Sequence, residues 1–218
     1  TDLRELLTLL NYHYGSKNVN LYFINKEVYP INSQNNIDYI TNLTNETFKV
    51  GLVNESDLNK VFGQVLDKTT NNTLSIVVSD CIYSVGGSAS ALSVQKTGIE
   101  NAFLNKNQKG VKLSTEIVQL NSQFDGIYYD THNGKHVLKG ELRPYYLIAL
   151  GNDAVMSDLN TKIPFNNGKF EGFKKKLFLT AKNYSDDLYY TLLKTISDVG
   201  SYSFNKDYST SKYKKGIQ

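Results

Sequence analysis

The chain reads as an α/β protein with a mostly parallel sheet covered by helices. Three observations carry that expectation. The runs Leu74 to Ser79 and Tyr145 to Leu150 are apolar without in–out alternation, as expected of strands buried on both faces. Segments with helical spacing alternate with them, and strand–helix alternation is the signature of a covered, largely parallel sheet. No apolar run approaches the ~20 residues that a membrane-crossing helix needs.

Along the chain, Leu3, Leu6, Leu7 and Leu10 form one helical stripe. Asp2 and Glu5 suit a capping box, and Gly15 suits the left-handed position after the helix. Val19 to Ile24 reads as a strand, and a further short strand is expected around Phe48 to Val53. Ser56 is the expected cap of a helix carrying Leu58, Val61, Phe62, Val65 and Leu66, with Asn71-Asn72 beyond its end. A Gly/Ser loop, Ser84 to Ser90, then precedes a helix holding Leu92, Ile99, Ala102 and Phe103.

Lys112 to Leu120 reads as a strand. Asn133-Gly134 predicts a hairpin turn whose flanks, near 127–138, project beyond the sheet as a polar ribbon. After the strand at Tyr145 to Leu150, a helix with Val155, Met156, Leu159 and Ile163 stops at Pro164. A strand at Leu177 to Ala181 and a helix over Ser185 to Val199 are weaker expectations. The domain reading is residues 1–165 as the sheet domain and 166–218 as a C-terminal extension or partial second module.

Composition sets the classes of partner. The 218 residues are 40% hydrophobic and 21% charged, as in globular chains, with a net charge of +3. The basic runs, Lys174-Lys175-Lys176 and the tail around Lys212, Lys214 and Lys215, are not interleaved with aromatics into a stripe, so no nucleic-acid partner is expected. Asn-x-Ser/Thr occurs at Asn42, Asn45, Asn54, Asn71 and Asn183, as chance allows in so Asn-rich a chain. The chain begins at Thr1 rather than Met, as expected of a processed product, a trimmed chain or a fragment, any of which leaves room for a lost targeting segment.

In an open parallel sheet, ligands meet the carboxyl ends of strands. That rule selects Asp80, Ser122 and Asp125, together with the Gly151-Asn152-Asp153 turn. Cys81 is the single cysteine. As a nucleophile it would need a lowered pKa and a base, and no spacing ties His13, His132 or His136 to it. His132 and His136 bracket the hairpin turn, but two ligands do not make a zinc site. G-x-x-x-x-G-K-[ST], G-x-G-x-x-G after a strand and G-x-S-x-G are all absent, and Gly86-Gly87 alone is no phosphate cradle. Arg143, beside Pro144, reads as bracing its strand or pairing with Glu141.

The order helix, strand, polar excursion, Ser56-capped helix and then Ser75-Ile76-Val77-Val78-Ser79-Asp80 resembles the middle of a von Willebrand factor A-like domain, over roughly residues 1 to 163. In that family the Asp ending such a strand belongs to a metal-ion-dependent adhesion site. Asp80 matches that Asp, and Ser56 the loop Thr. The family's Asp-x-Ser-x-Ser motif is not present, and Cys81 stands where the family has Gly. The resemblance implies a Rossmann-like or von Willebrand factor A-like sheet and a role in adhesion or assembly through a protein partner. It also implies Mg²⁺ at Asp80, provided that an upstream strand supplies further ligands. The expected function is therefore a non-catalytic interaction module with Asp80, Ser56, Ser122 and Asp125 as its binding residues. The rival is a hydrolase or nucleotide-utilising enzyme working around Asp80.

Overall fold

The computed structural model describes residues 2–33, 35–44, 50, 57–82, 89–129, 134–180, 204–205 and 216–217. Several expectations lie outside these residues: most of the Phe48–Val53 strand, Ser56, most of the Ser84–Ser90 loop, His132, Asn133 and the Ser185–Val199 helix. The chain forms two compact units, Thr1–Asn183 and Tyr184–Gln218. The first contains α1 (Asp2–Tyr14), β1 (Leu21–Ile24), β2 (Val28–Ile31), α2 (Asn36–Thr41), α3 (Leu58–Lys68), β3 (Ser75–Ser79), α4 (Ala89–Gln108), β4 (Ser114–Tyr129), β5 (Lys135–Gly151), α5 (Asp153–Lys162) and β6 (Phe173–Leu179). In the second, β7 (Phe204–Asn205) pairs antiparallel with β8 (Gly216–Ile217).

Local chemistry accounts for the helix ends. Gly15 follows α1 at φ 81°, a conformation that costs glycine little. α3 is capped by Asp57, whose side chain accepts from the Lys60 N–H, one residue later than the Ser56 cap expected. Asn152 caps α5 by accepting from the Val155 N–H.

The main sheet has the order β3-β5-β4-β6, and every neighbouring pair in it is antiparallel. This corrects the expected mostly parallel, Rossmann-like or von Willebrand factor A-like sheet. Ser75 to Ser79 pairs with Leu150 to Tyr146 in opposite sense, so the two apolar runs are antiparallel neighbours. The expectation failed for a physical reason. An unbroken apolar run reports burial of both faces, and that burial is indifferent to strand direction. β3 and β4 do run parallel to each other, because each is antiparallel to β5, which lies between them. β5 and β6 are likewise parallel, with β4 between. The connections through α4 and α5 are thus two interlocked split β-α-β units.

Each face of the sheet carries its own core. On one side, Val118 and Leu120 of β4 with Leu147 and Ala149 of β5 meet Leu6 of α1, Met156 and Leu159 of α5, and Phe165 and Phe170 beyond it. On the other, Val77 of β3 with Ile148 and Leu150 of β5 meet Val61, Phe62, Val65 and Leu66 of α3, while Ile99, Ala102 and Phe103 of α4 pack around them. Alternate residues of β5 therefore feed opposite cores, as the two-residue period of a strand demands. The β1–β2 hairpin leans on α3, where the Gln64 side chain accepts from the Val28 N–H at 2.8 Å and Lys60 pairs with Glu27.

Polar pins fix the helices to the sheet. Glu116 of β4 is fully buried. It accepts from Asn160 Nδ2 of α5 at 2.6 Å and faces Lys176 Nζ of β6 at 3.5 Å, while Lys176 also donates to Asn160 Oδ1 at 2.7 Å. The start of α1 is held by Asp2, whose Oδ2 accepts from the Gly172 N–H at 3.0 Å and from the Tyr145 hydroxyl at 3.3 Å. Gly172 is obligatory here, because a Cβ would drive into the Asn121 carbonyl oxygen and the Asp2 carboxylate. Burial, and then the Asp2 charge, push the Tyr145 phenol well above its ordinary value. Burial likewise raises Tyr14, helped by its hydrogen bond to Asp158 and that group's charge.

Two outcomes follow. Leu147→Ala, in the core, should cost ~2–5 kcal/mol in urea denaturation, while Val137→Ala on the exposed part of the same strand costs less than ~0.5 kcal/mol. Equal costs would contradict this burial pattern. The second outcome concerns alkali. Below the ordinary tyrosine pKa of 10.0, Tyr14 and Tyr145 are protonated in both states and add no pH dependence. Above it the unfolded chain loses these protons while the folded chain keeps them, so stability falls as pH rises. Tyr14→Phe with Tyr145→Phe should flatten the fall in Tm above about pH 10, and an unchanged slope would contradict the burial of these phenols.

Candidate interaction site

The two central strands outrun the sheet that holds them. β3 stops opposite Tyr146, and β6 reaches no further along β4 than Leu120. Among the described residues, β4 and β5 pair only with each other beyond Asn121 and Pro144, out to Tyr129 opposite Lys135. Pro144 is tolerated inside β5 because β3 has already ended there, leaving no ladder on that side for its missing N–H. The ribbon expected near 127–138 is therefore the far end of the central strands.

A bulge shapes this ribbon. Phe124 stands opposite Glu141 and Gly126 opposite Leu138, so β5 carries one extra residue there. Gly140 supplies it at φ 63°, the left-handed conformation of a glycine bulge. Its N–H donates to Asp125 Oδ1 at 2.7 Å, which fixes the bend. On the α1/α5 side the Phe124 ring lies over Gly126, and the Arg143 guanidinium stacks on Tyr128, 4.1 Å from the ring centroid. Arg143 stands opposite Ser122, which flat strands would hold ~20 Å from Tyr128. The ribbon therefore curls toward this side. Arg143 neither braces the base of its strand nor pairs with Glu141 in the expected way, but clamps the curl by a cation–π contact.

The ribbon is apolar on its outward surface. On the α3/α4 side, Ile127 and Val137 face each other across the strands and Leu142 follows beyond the bulge; Val137 is 72% exposed and Leu142 64%. Lys135 and Lys139 flank them, exposed to solvent. The expected ribbon had polar flanks, and that expectation overlooked these side chains. The available signal was the apolar content of Phe124 to Tyr129 and Val137 to Leu142, which no partner strand or helix in the sequence was needed to cover.

The strand-end residues lie elsewhere. Ser79 stands level with Tyr146, and Tyr146 with Gln119. Ser122 and Asp125 are thus ~10 Å and ~20 Å further along β4 than the end of β3. Asp80 is exposed, and its Oδ1 accepts from the Ile82 N–H at 3.1 Å in a tight turn. Ser122 donates to the Gln123 carbonyl, and Asp125 is engaged with Gly140. The structure does not gather Asp80, Ser122 and Asp125 around one point, and Ser56 lies outside the described residues. Among the described residues, no three His, Cys, Asp or Glu side chains come together where they could hold a metal ion.

Cys81 sits at φ 55°, an uncommon conformation for a residue with a side chain, and its N–H donates to Ser79 Oγ at 3.0 Å. Burial raises its thiol pKa and the Asp80 charge adds to the effect, while the Ser79 hydrogen bond only partly opposes them. A thiol held protonated is a poor nucleophile. His13 packs edge-on against Tyr12, and His136 lies beside Tyr128 on the ribbon.

Replacing Gly140 with Val puts a β-branched side chain at positive φ, which costs ~1–2 kcal/mol or more locally. The expected outcome is displacement of amide signals from Ser122 to Leu142 in NMR spectra, with the Val118 and Leu147 signals unmoved. Loss of the global thermal transition would show that the bulge supports the core. No family model, no curated protein and no solved structure matches the chain.

Proposed function

We propose that the chain is a protein-interaction module, of an adhesion or assembly kind, whose binding element is the β4–β5 ribbon. One observation carries this reading. Of the eleven large hydrophobic side chains exposed among the described residues, four lie on the ribbon, and three of these (Ile127, Val137 and Leu142) share its α3/α4 face while Phe124 stands on the other. Contiguous exposed apolar surface on a globular chain marks a contact site. Aromatic and arginine side chains of the kind enriched at such sites, Phe124, Tyr128 and Arg143, stand on the ribbon's other side.

The ribbon is also built to be presented. Its root is anchored by both cores, its bend is fixed by Gly140 and Asp125, and its curl is held by Arg143 on Tyr128. A pre-shaped arm loses less conformational freedom on binding than a loose loop. The protonated thiol of Cys81 and the turn-bound carboxylate of Asp80 support a non-catalytic reading over a hydrolytic one. The interaction role thus rests on the ribbon, and no longer on a strand-end metal site.

The test is site-specific photo-crosslinking in cells that produce the chain. A photoreactive residue at Val137 or Leu142 should trap one discrete protein, whereas the same residue at Tyr12 or Leu104, also exposed but far from the ribbon in sequence, should not. Trapping by neither ribbon position, or equally by all four, would overturn the assignment.

A further inference from the structure

The outer edge of the sheet has a chemistry separate from the ribbon. β6 pairs with β4 on one side, and among the described residues no strand flanks its other side. Its sequence divides in two: Lys174 and Lys175 come first, then Leu177, Phe178 and Leu179, all exposed. Register gives these side chains their faces. Leu177 stands opposite Ile117 and Leu179 opposite Thr115, so both leucines extend the apolar layer of the α3/α4 side to the very edge of the sheet. Phe178 stands opposite Glu116 on the other face, and Lys176 is turned inward to Glu116 and Asn160. Among the described residues the free charges of the edge are therefore Lys175 and Lys174, the latter the extra residue of a bulge beside Leu120, at one end of an apolar half-strand.

We propose that the β6 edge accepts an extended segment of a partner protein, apolar in its first half and acidic in its second, as an added antiparallel strand. Run antiparallel, such a segment sets apolar side chains beside Leu179, Phe178 and Leu177 and carboxylates beside Lys175 and Lys174. The backbone ladder supplies affinity, and the change from apolar to acidic supplies register and direction. A second copy of β6 does not match the whole length of this edge. Self-pairing about Phe178 sets Leu177 against Leu179 but leaves Lys174 and Lys175 without a partner in the second β6. Antiparallel self-pairing about Lys176 sets Lys175 against Leu177 and Lys174 against Phe178, and parallel pairing sets lysine against lysine. Lysines on an edge strand ordinarily repel incoming strands. On β6 they guard only half the edge and leave the apolar half open, which selects for a partner that carries negative charge.

Fluorescence anisotropy of the 218-residue chain with a fluorescein-labelled peptide, Val-Tyr-Val-Thr-Glu-Glu, tests this directly. The control peptide carries Lys-Lys in place of Glu-Glu. The acidic peptide should bind at least ~10-fold more tightly than the control, and more weakly as salt rises. Binding should weaken by a similar factor in the Lys174→Glu, Lys175→Glu double variant and in Leu177→Asp, both checked for folding by circular dichroism. It should be unchanged in Val137→Ser, which alters the ribbon alone, so this outcome is separable from that of the ribbon's own test. No binding, equal binding of both peptides, or loss of binding in Val137→Ser would overturn the proposal. So would a sedimentation change showing that Leu177→Asp breaks up a self-associated chain.

Discussion

Everything in the first unit depends on one pairing, that of β4 with β5. The two strands are joined from Ser114 opposite Gly151 to Tyr129 opposite Lys135, and among the described residues their inner halves are the only part of the sheet flanked by strands on both sides. β5 sends alternate side chains to opposite cores, with Leu147 and Ala149 to one and Ile148 and Leu150 to the other. Burial at ~25 cal/mol per Å² on both faces of one strand makes this ladder the stable floor of the unit. The same ladder, continued past the ends of β3 and β6, becomes the ribbon.

The helices are placed by the connections that the pairing forces. Because β5 lies between β3 and β4, the chain must cross over it through α4. Because β4 lies between β5 and β6, it must cross back through α5, and the two helices end on opposite faces. Buried polar groups then lock the arrangement. Glu116 with Asn160 and Lys176 joins β4, α5 and β6, and Asp2 with Gly172 and Tyr145 joins α1 to the sheet. A buried carboxylate left without these partners would be strongly unfavourable, so each pin ties its elements to one geometry.

Much of this was legible in the residues. The leucine stripe of α1, the stripe of α3 and the Met156–Leu159 face of α5 appear where helical spacing put them, and Gly15 stands at positive φ after α1. Strand direction was not legible, because Ile76-Val77-Val78 and Leu147-Ile148-Ala149 would be equally apolar in either sense. The length of β5 was also hidden. The sequence put strands at Lys112 to Leu120 and Tyr145 to Leu150 and a separate ribbon near 127–138. In the structure Gly140 is a bulge within one long strand, and Pro144 sits where no neighbour needs its N–H. The lysine run of β6 told only against a nucleic-acid partner, whereas Lys176 turns back to a buried glutamate. The candidate site was missed for a related reason. A rule written for the carboxyl ends of parallel strands pointed to Asp80, while in an antiparallel sheet the surplus length of the central pair carries the exposed apolar surface.

Among the described residues, one continuous pair of strands is core at its root and, beyond Asn121 and Pro144, free of other strands. Residue-resolved hydrogen exchange under native conditions tests it most directly. The amides of Val118, Leu120, Leu147 and Ala149 should exchange only through global unfolding and share its denaturant dependence. Those of Ile127 and Val137 should exchange much faster, through local opening of the ribbon, and should be insensitive to low denaturant. Equal protection along the whole length of β4 and β5, or rapid exchange at Leu147 and Val118, would contradict the account.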